Sequence, residues 1–429
     1  MSLYKPILAL GHPEKISSQK RKVAYDPVFK DLDLNKHNNQ WSPPIWVLSL
    51  GAGLAPFAVT LVAPAIPAMA IDLSADSNIA QLVLSVLLIS IAIGQLVAGP
   101  LSDRFGRRPL FLGGAIAYCL AGFGAALSGT MEGIIFFRVI QGLGAAAAVA
   151  MSRSIVVDFY GRDRAAGVMS TIIAMMAIIP VLGTSLGGVL TDLVGWQGSF
   201  FMLAVTGLIL TGSVGTQIQE THKPEHVFTF KDALRGYREL LSTHRFLASS
   251  LTTAFQTAVF FAMMGFIAYS FERMNISPKE FGVWMATTSV GYVIGNLANK
   301  RLLDRYRIEL ITFTGAIASL ASLLLMEMWH YAVPNSPTGL AIPMLLVGLS
   351  NGVIIANSII IASSAIPRLR GSATGLVGAM QMGAGGISGT VAIWLGADQS
   401  THVGIFTLIV ISFCSLLSAW WSSKLEQVQ

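Results

Sequence analysis

The chain has 429 residues, of which 53% are hydrophobic and 12% charged, with a formal net charge of +6. Soluble globular proteins carry about 25% charged residues, so this composition excludes a disordered chain and a nucleic-acid binder and argues against a soluble enzyme. A mean hydropathy of +0.65 reads instead as a polytopic membrane protein, since a dozen crossings of about 20 residues each would take roughly 240 apolar positions.

Residues 1–44 are polar and of mixed charge, without an apolar signal-peptide core, and read as a solvated N-terminal tail. Apolar runs long enough to cross a bilayer follow at 45–71, 79–99, 109–128, 132–154, 166–190, 197–218, 246–271, 280–299, 310–329, 339–363, 373–395 and 403–421. They lack the alternating pattern of barrel strands, so the expected fold is an all-α membrane protein of twelve transmembrane helices. The first span holds Pro56, Pro64 and Pro67 and should bend at them.

Placing the cations on this topology orients it. Of the 28 Lys and Arg, 25 fall in the N-tail and the loops on its side of the membrane. Only Arg273 and Lys279 fall on the other side, and Arg138 lies within a span. Positive residues are retained in the cytoplasm, so both termini are expected there, in a bacterial cytoplasmic (inner) membrane.

The polar stretch 219–245 divides the chain into six spans plus six. Gly94, Gln95 and Leu96, then Leu101, Asp103, Arg104 and Phe105, reappear 201 residues later as Gly295, Asn296, Leu297, Leu302, Asp304, Arg305 and Tyr306. Two pseudo-symmetric six-helix bundles (45–218 and 246–421), a cytoplasmic linker (219–245) and a short cytoplasmic tail (422–429) follow, with a site between the bundles. That is a transporter plan.

Four groups of residues carry chemistry. Between spans two and three stand Gly99, Asp103, Arg104, Gly106, Arg107 and Arg108; the glycines allow a tight turn and close helix contact, and Asp103 could reach a neighbouring helix N-terminus. In span four, Arg138 is too deep to be a loop charge and needs a cavity or a partner; Gln141 and Gly142 share its face. In span five, Pro180, Gly183, Gly187 and Gly188 combine a kink with a small-residue face for helix packing. Thr60, Gln256, Asn351, Asn357 and Gln381 are polar breaks in apolar spans and candidates to hydrogen-bond a substrate, with Met175, Met176, Met263, Met264, Met380 and Met382 as adaptable apolar surface.

These strings resemble the major facilitator superfamily. The loop from Gly99 to Arg108 matches its G-x-L-x-D-R-x-G-R-R/K signature, and Arg138, Gln141, Gly142 and Gly144 match the R-x-x-Q-G-x-G motif of its drug:proton antiporters. Ala63 to Met69 and the Gly187-Gly188 pair resemble the bicyclomycin/chloramphenicol-resistance branch. The resemblance implies a conformational latch in which Asp103 caps the start of span eleven near Gly371 and Ser372 while Arg107 pairs with Asp158. It also implies that Arg138 is linked to proton transfer. Many members of the branch carry an acid where this chain has Thr60, which leaves Glu132, six residues before Arg138, as the nearest acid on its span. Proton coupling is thus implied by resemblance alone.

The expected function is export of drugs or other small amphipathic compounds by proton antiport with alternating access. The alternatives are a dedicated exporter of an endogenous metabolite, siderophore-like or sugar-like, and an uncoupled facilitator or importer. The expected partners are the small-molecule substrate, protons and the lipid bilayer, with the protein a monomer. Histidines lie in tails, loops or span ends, and Cys119 and Cys414 sit singly in apolar runs, so no metal or other cofactor is expected, nor an enzymatic activity.

Overall fold

The computed structural model describes residues 41–221 and 230–425; most of the expected tail 1–44, part of the linker (222–229) and residues 426–429 lie outside them. Among the described residues every regular element is helical. Helix α1 (Ile45–Asp72) passes through a 3-10 turn at Ala63–Ala65, bent as its prolines require. It is followed by α2 (Ser77–Phe105) and α3 (Arg107–Ala126). A continuous 64-residue run, Met131–Val194, divides at Gly161, whose φ of 68° and ψ of 170° break the helix. The two parts are α4 (Met131–Gly161) and α5 (162–194). Helix α6 (Gln197–Gln217) closes the first half.

After a linker helix (Phe230–Leu241), the second half comprises α7 (His244–Arg273), α8 (Pro278–Leu303), α9 (Ile308–Ala332), α10 (Pro337–Ser364), α11 (Arg370–Trp394) and α12 (Thr401–Leu425). Among the described residues ten helices are long and apolar enough to cross a membrane by composition alone; of α5 the stretch Ile178–Val194 counts as a shorter apolar helix, and α8 is less apolar than the ten. Helix α8 is less apolar because Thr287, Thr288, Ser289 and Asn296 interrupt its uncharged middle. Helix α4 runs on to Gly161, past the expected end at 154, so that Arg153, counted among the loop cations although it falls within 132–154, is inside the helix.

The turns carry their own chemistry. Thr130, Ser277 and Ser336 cap α4, α8 and α10 by accepting amide hydrogen bonds from Gly133, Glu280 and Gly339 at 3.2, 3.3 and 3.3 Å. Many hydroxyls within spans bond back to their own helix, as Thr312 does to the Ile308 carbonyl at 2.7 Å, which satisfies those donors without water.

The two halves pack alike. In the first, α3 packs on α4 and α6; in the second, α9 packs on α10 and α12. Between the halves, α2 runs along α11 and α5 along α8, and these two seams are equivalent under the six-plus-six repeat. Below, the end of the molecule that holds the linker helix and the α2–α3 turn is the linker end; the opposite end is the far end.

Candidate functional site

Arg138 is fully buried. Its Nε donates to the Val83 carbonyl of α2 at 2.8 Å, Nη1 to Oε1 of Gln141 at 2.8 Å, and Nη2 to the Ala58 carbonyl of α1 at 3.1 Å. Its guanidinium also lies 5.6 Å from the centre of the Phe200 ring in α6. Burying a cation costs several kcal/mol, and three charge-assisted bonds of about 1.5–3 kcal/mol each offset it without a counter-ion. One side chain therefore ties α4 to α1, α2 and α6. Glu132 is exposed in the first turn of α4 and is not among these partners. Thr60 is buried and bonds back to the Pro56 carbonyl at 2.9 Å.

The span-five residues sit where helices come closest. A Cβ on Gly183 would land on the Thr60 hydroxyl, on Gly187 on the Leu61 carbonyl of α1, and on Gly188 on the Pro278 carbonyl of α8. From the other side, a Cβ on Gly282 of α8 would press the Thr184 carbonyl. Pro180 has no N–H to give to the ladder, and its own carbonyl accepts from the Thr184 hydroxyl at 2.8 Å. This face thus packs α5 against its own bundle and against the other one, both toward the far end.

The matching seam is α2 on α11. Gly389 meets Gln81, Gly386 meets the Ser85 carbonyl, and Gly378 meets Gln95. The Thr390 hydroxyl donates to that of Ser85 at 2.8 Å. At the far end Ser77, which opens α2, donates to Asp398 in the α11–α12 turn, and Arg273 at the end of α7 donates to the Asp398 carbonyl and, at 2.8 Å, to the Thr401 hydroxyl. Gln81 and Asp398 escaped the sequence reading: Gln81 is one of several polar residues in the second span, with Ser85, Ser90 and Gln95, and nothing local set it apart.

Toward the linker end this seam opens, and a Cβ on Gly371 or Gly375 of α11, or on Gly99 of α2, would meet nothing within 4 Å. Arg107 there pairs with Asp158 at 3.0 Å, as expected, and with Asp103 at 2.7 Å. The expected cap of α11 by Asp103 is corrected: the start of α11 has no side-chain cap, and the Asp103 carboxylate bonds to Arg107, within the first half. Gly106 adopts a φ of 94°, open to glycine, and its missing side chain lets Glu220 approach. Glu220 accepts from the amides of Arg107 and Arg108 at 3.0 and 3.1 Å and so caps α3; it was not among the residues singled out in the sequence, because it follows α6 in the polar stretch. Arg108 donates to the Gly215 carbonyl at 2.7 Å, whereas Arg104 is exposed over the Phe105 ring.

The linker helix occupies the opened seam. Tyr237 donates to the Leu96 carbonyl of α2 at 3.2 Å, Glu239 pairs with Arg368, and Leu240 is buried in a cluster with Phe246, Ala373, Leu376 and Val377. Burial pushes the Tyr237 phenol up, which keeps it a donor.

The candidate substrate contacts of the second half are bonded to neighbouring polar side chains of their own bundle. Gln256 donates to Asn351 and Ser319, each at 2.6 Å. Asn357 and Asn299 exchange two bonds of 2.8 and 3.0 Å between α8 and α10. Gln381 donates to Thr253 and Thr257 at 2.9 and 3.2 Å. These are staples within the bundle, the arrangement by which polar side chains in membranes find partners.

The profile of the Major Facilitator Superfamily matches residues 48–271 and again 246–427. The chain belongs to that superfamily. Among its relatives, a bicyclomycin resistance protein homolog of Haemophilus influenzae is 26% identical over 90% of this chain and 97% of its own. A chloramphenicol resistance protein of Pseudomonas aeruginosa is 29% identical over 71% and 72%. The resemblance to the bicyclomycin/chloramphenicol-resistance branch therefore holds. In fold it is similar to a D-xylose-proton symporter, with a TM-score of 0.71 at 15% identity over 88% of this chain and 96% of that one. This major facilitator protein is a multi-pass membrane transporter.

Proposed function

We propose that the protein exports drugs or other small amphipathic compounds across a bacterial inner membrane by proton antiport with alternating access. The observation that carries the reading is the contrast between two equivalent seams closed at the far end and an α2–α11 seam that opens toward the linker end, with the Asp103–Arg107–Asp158 cluster beside the opening. In this reading the linker end is cytoplasmic, as the cation count requires, and residues 45–218 and 246–421 rock as units about the site between them. The names of the relatives support drugs as the substrate class.

An uncoupled facilitator is the second reading. It is favoured by Thr60 at the position of an acid and by Arg138, whose hydrogen bonds go to carbonyl oxygens and Gln141 rather than to a carboxylate. Proteoliposomes loaded with chloramphenicol and given an imposed proton gradient separate the two. Antiport requires efflux to rise with an inwardly directed gradient and to fall when it is collapsed; efflux indifferent to the gradient leaves the facilitator.

A further inference from the structure

Every Asp, Glu, Lys and Arg of the twelve spans lies in the first two or last two turns of its helix, except Arg138 and Arg153 of α4. The two are housed differently. Arg138 is bonded to two carbonyls and Gln141. Among the described residues Arg153 has no hydrogen bond and no ion pair. The acids toward this end of α4 and α2, Asp158 and Asp103, are both turned to Arg107.

Arg153 is partly reached by solvent and yet ringed by protein. That combination belongs to a cavity wall, because a side chain on the lipid face has protein on one side only and snorkels toward headgroups. Helix periodicity says which cavity. Gly142 and Ala146 of α4 lie on α2, against the Leu87 carbonyl and Gly94, and Arg153 comes two turns after Ala146 on the same face. This register sets it about level with Gly99 of α2, where the α2–α11 seam stands open. Its neighbour Ser152 meets Gly51 of α1, so Arg153 leaves α4 on the side between α1 and α2, the side from which Arg138 reaches Ala58 and Val83.

A cation enclosed by protein is costly unless water or an anion attends it. No span carries a carboxylate beyond its end turns, so inside the opening a negative group meets an unpaired guanidinium and a positive group meets no counter-ion. We propose that Arg153 is the specificity-determining residue of the linker-end opening: it binds the carboxylate or other anionic group of an amphipathic substrate and disfavours amphipathic cations. The inference rests on reading that opening as the entry of an exported substrate. Uncharged compounds enter by the same route without the ionic gain.

Binding to the purified full-length transporter, measured by equilibrium dialysis with no proton gradient, tests this. The probes share one ring and differ in charge: coumarin-3-carboxylate is anionic, coumarin-3-carboxamide neutral and 3-(aminomethyl)coumarin cationic at neutral pH. Wild-type protein is expected to bind the carboxylate about tenfold more tightly than the amide, and the amine least. Arg153→Gln should bring the carboxylate down to the amide while the amide changes little, and Arg153→Lys should keep the order because it keeps the charge. Added salt should narrow the gap between carboxylate and amide in wild-type protein, a measurement that does not depend on the variants folding. Wild-type protein that binds the amide or the amine as tightly as the carboxylate, or none of the three, overturns the proposal. A gap that salt does not narrow, or that survives in Arg153→Gln, overturns it equally. Since the assay uses no gradient, its outcome is independent of whether proton antiport holds in vesicles.

Discussion

The two ends of the molecule join the same pair of bundles by different means. At the far end the bundles touch directly: small residues let α5 approach α8 and α11 approach α2 until backbone meets side chain, and Ser77 reaches across to Asp398. At the linker end α11 stands off from α2, and the linker helix fills the opening with Tyr237 on one side and Leu240 on the other. The first kind of contact is steric and tolerates no added atom; the second is an apolar helix face with a few polar ties, which separates at small cost. A transporter that alternates needs both ends to open. The difference teaches that the far end is held by shape and the linker end by a removable element.

The largest effect is expected from filling the far-end packing. Gly187→Leu places a side chain on the Leu61 carbonyl, and overpacking of this kind costs about 1–3 kcal/mol or more; transport should fall to background and the yield of folded protein should drop, as read by gel filtration. If Gly187→Leu transports normally, the contact is not tight. Next, Ser85→Cys with Thr390→Cys should form a disulfide on oxidation, because the two hydroxyls are 2.8 Å apart. Efflux from vesicles should then stop and return on reduction, and continued transport by the oxidised pair would mean that this seam need not open.

Asp103→Asn should also abolish transport, but with less than about 1 kcal/mol of stability lost, since the pair with Arg107 is partly exposed. Unchanged uptake and efflux would remove the latch. For Arg138→Met, the lost bonds and the relieved desolvation nearly cancel, so the melting temperature should move little. A proton-linked role predicts loss of gradient-driven efflux in that variant, whereas retained coupling leaves Arg138 a packing element. The smallest effect is expected from Tyr237→Phe, which removes one neutral hydrogen bond of about 0.5–1.5 kcal/mol. Hydrogen exchange of the linker helix should speed up while transport persists; unaltered exchange would show that Tyr237 does not hold that helix in place.

Much of this architecture is readable from residue order. The spans follow from apolar run length, the two halves from a motif recurring at the same topological point, and the α5 contact from Gly183, Gly187 and Gly188. The Arg107–Asp158 pair, implied by resemblance, is present. Gln256, Asn351, Asn357 and Gln381 were legible only as polar residues needing partners. Their partners stand 58–128 positions away along the chain, and a span's sequence does not say whether its polar face meets a cavity or a neighbour. Glu220 is hidden for a similar reason: a carboxylate in a polar stretch gives no sign that it caps a helix that begins over a hundred residues earlier.

Sequence by itself determined that this protein lives in a membrane, how often it crosses, and which residues let helices approach, because hydropathy, cation placement and the absence of a Cβ are local properties. Only the tertiary structure decided that Arg138 is held by carbonyl oxygens, that Asp103 turns to Arg107 and away from α11, and that one end is closed while the α2–α11 seam opens at the other. Those outcomes depend on which surfaces face each other, and that is set by the packing of the whole chain.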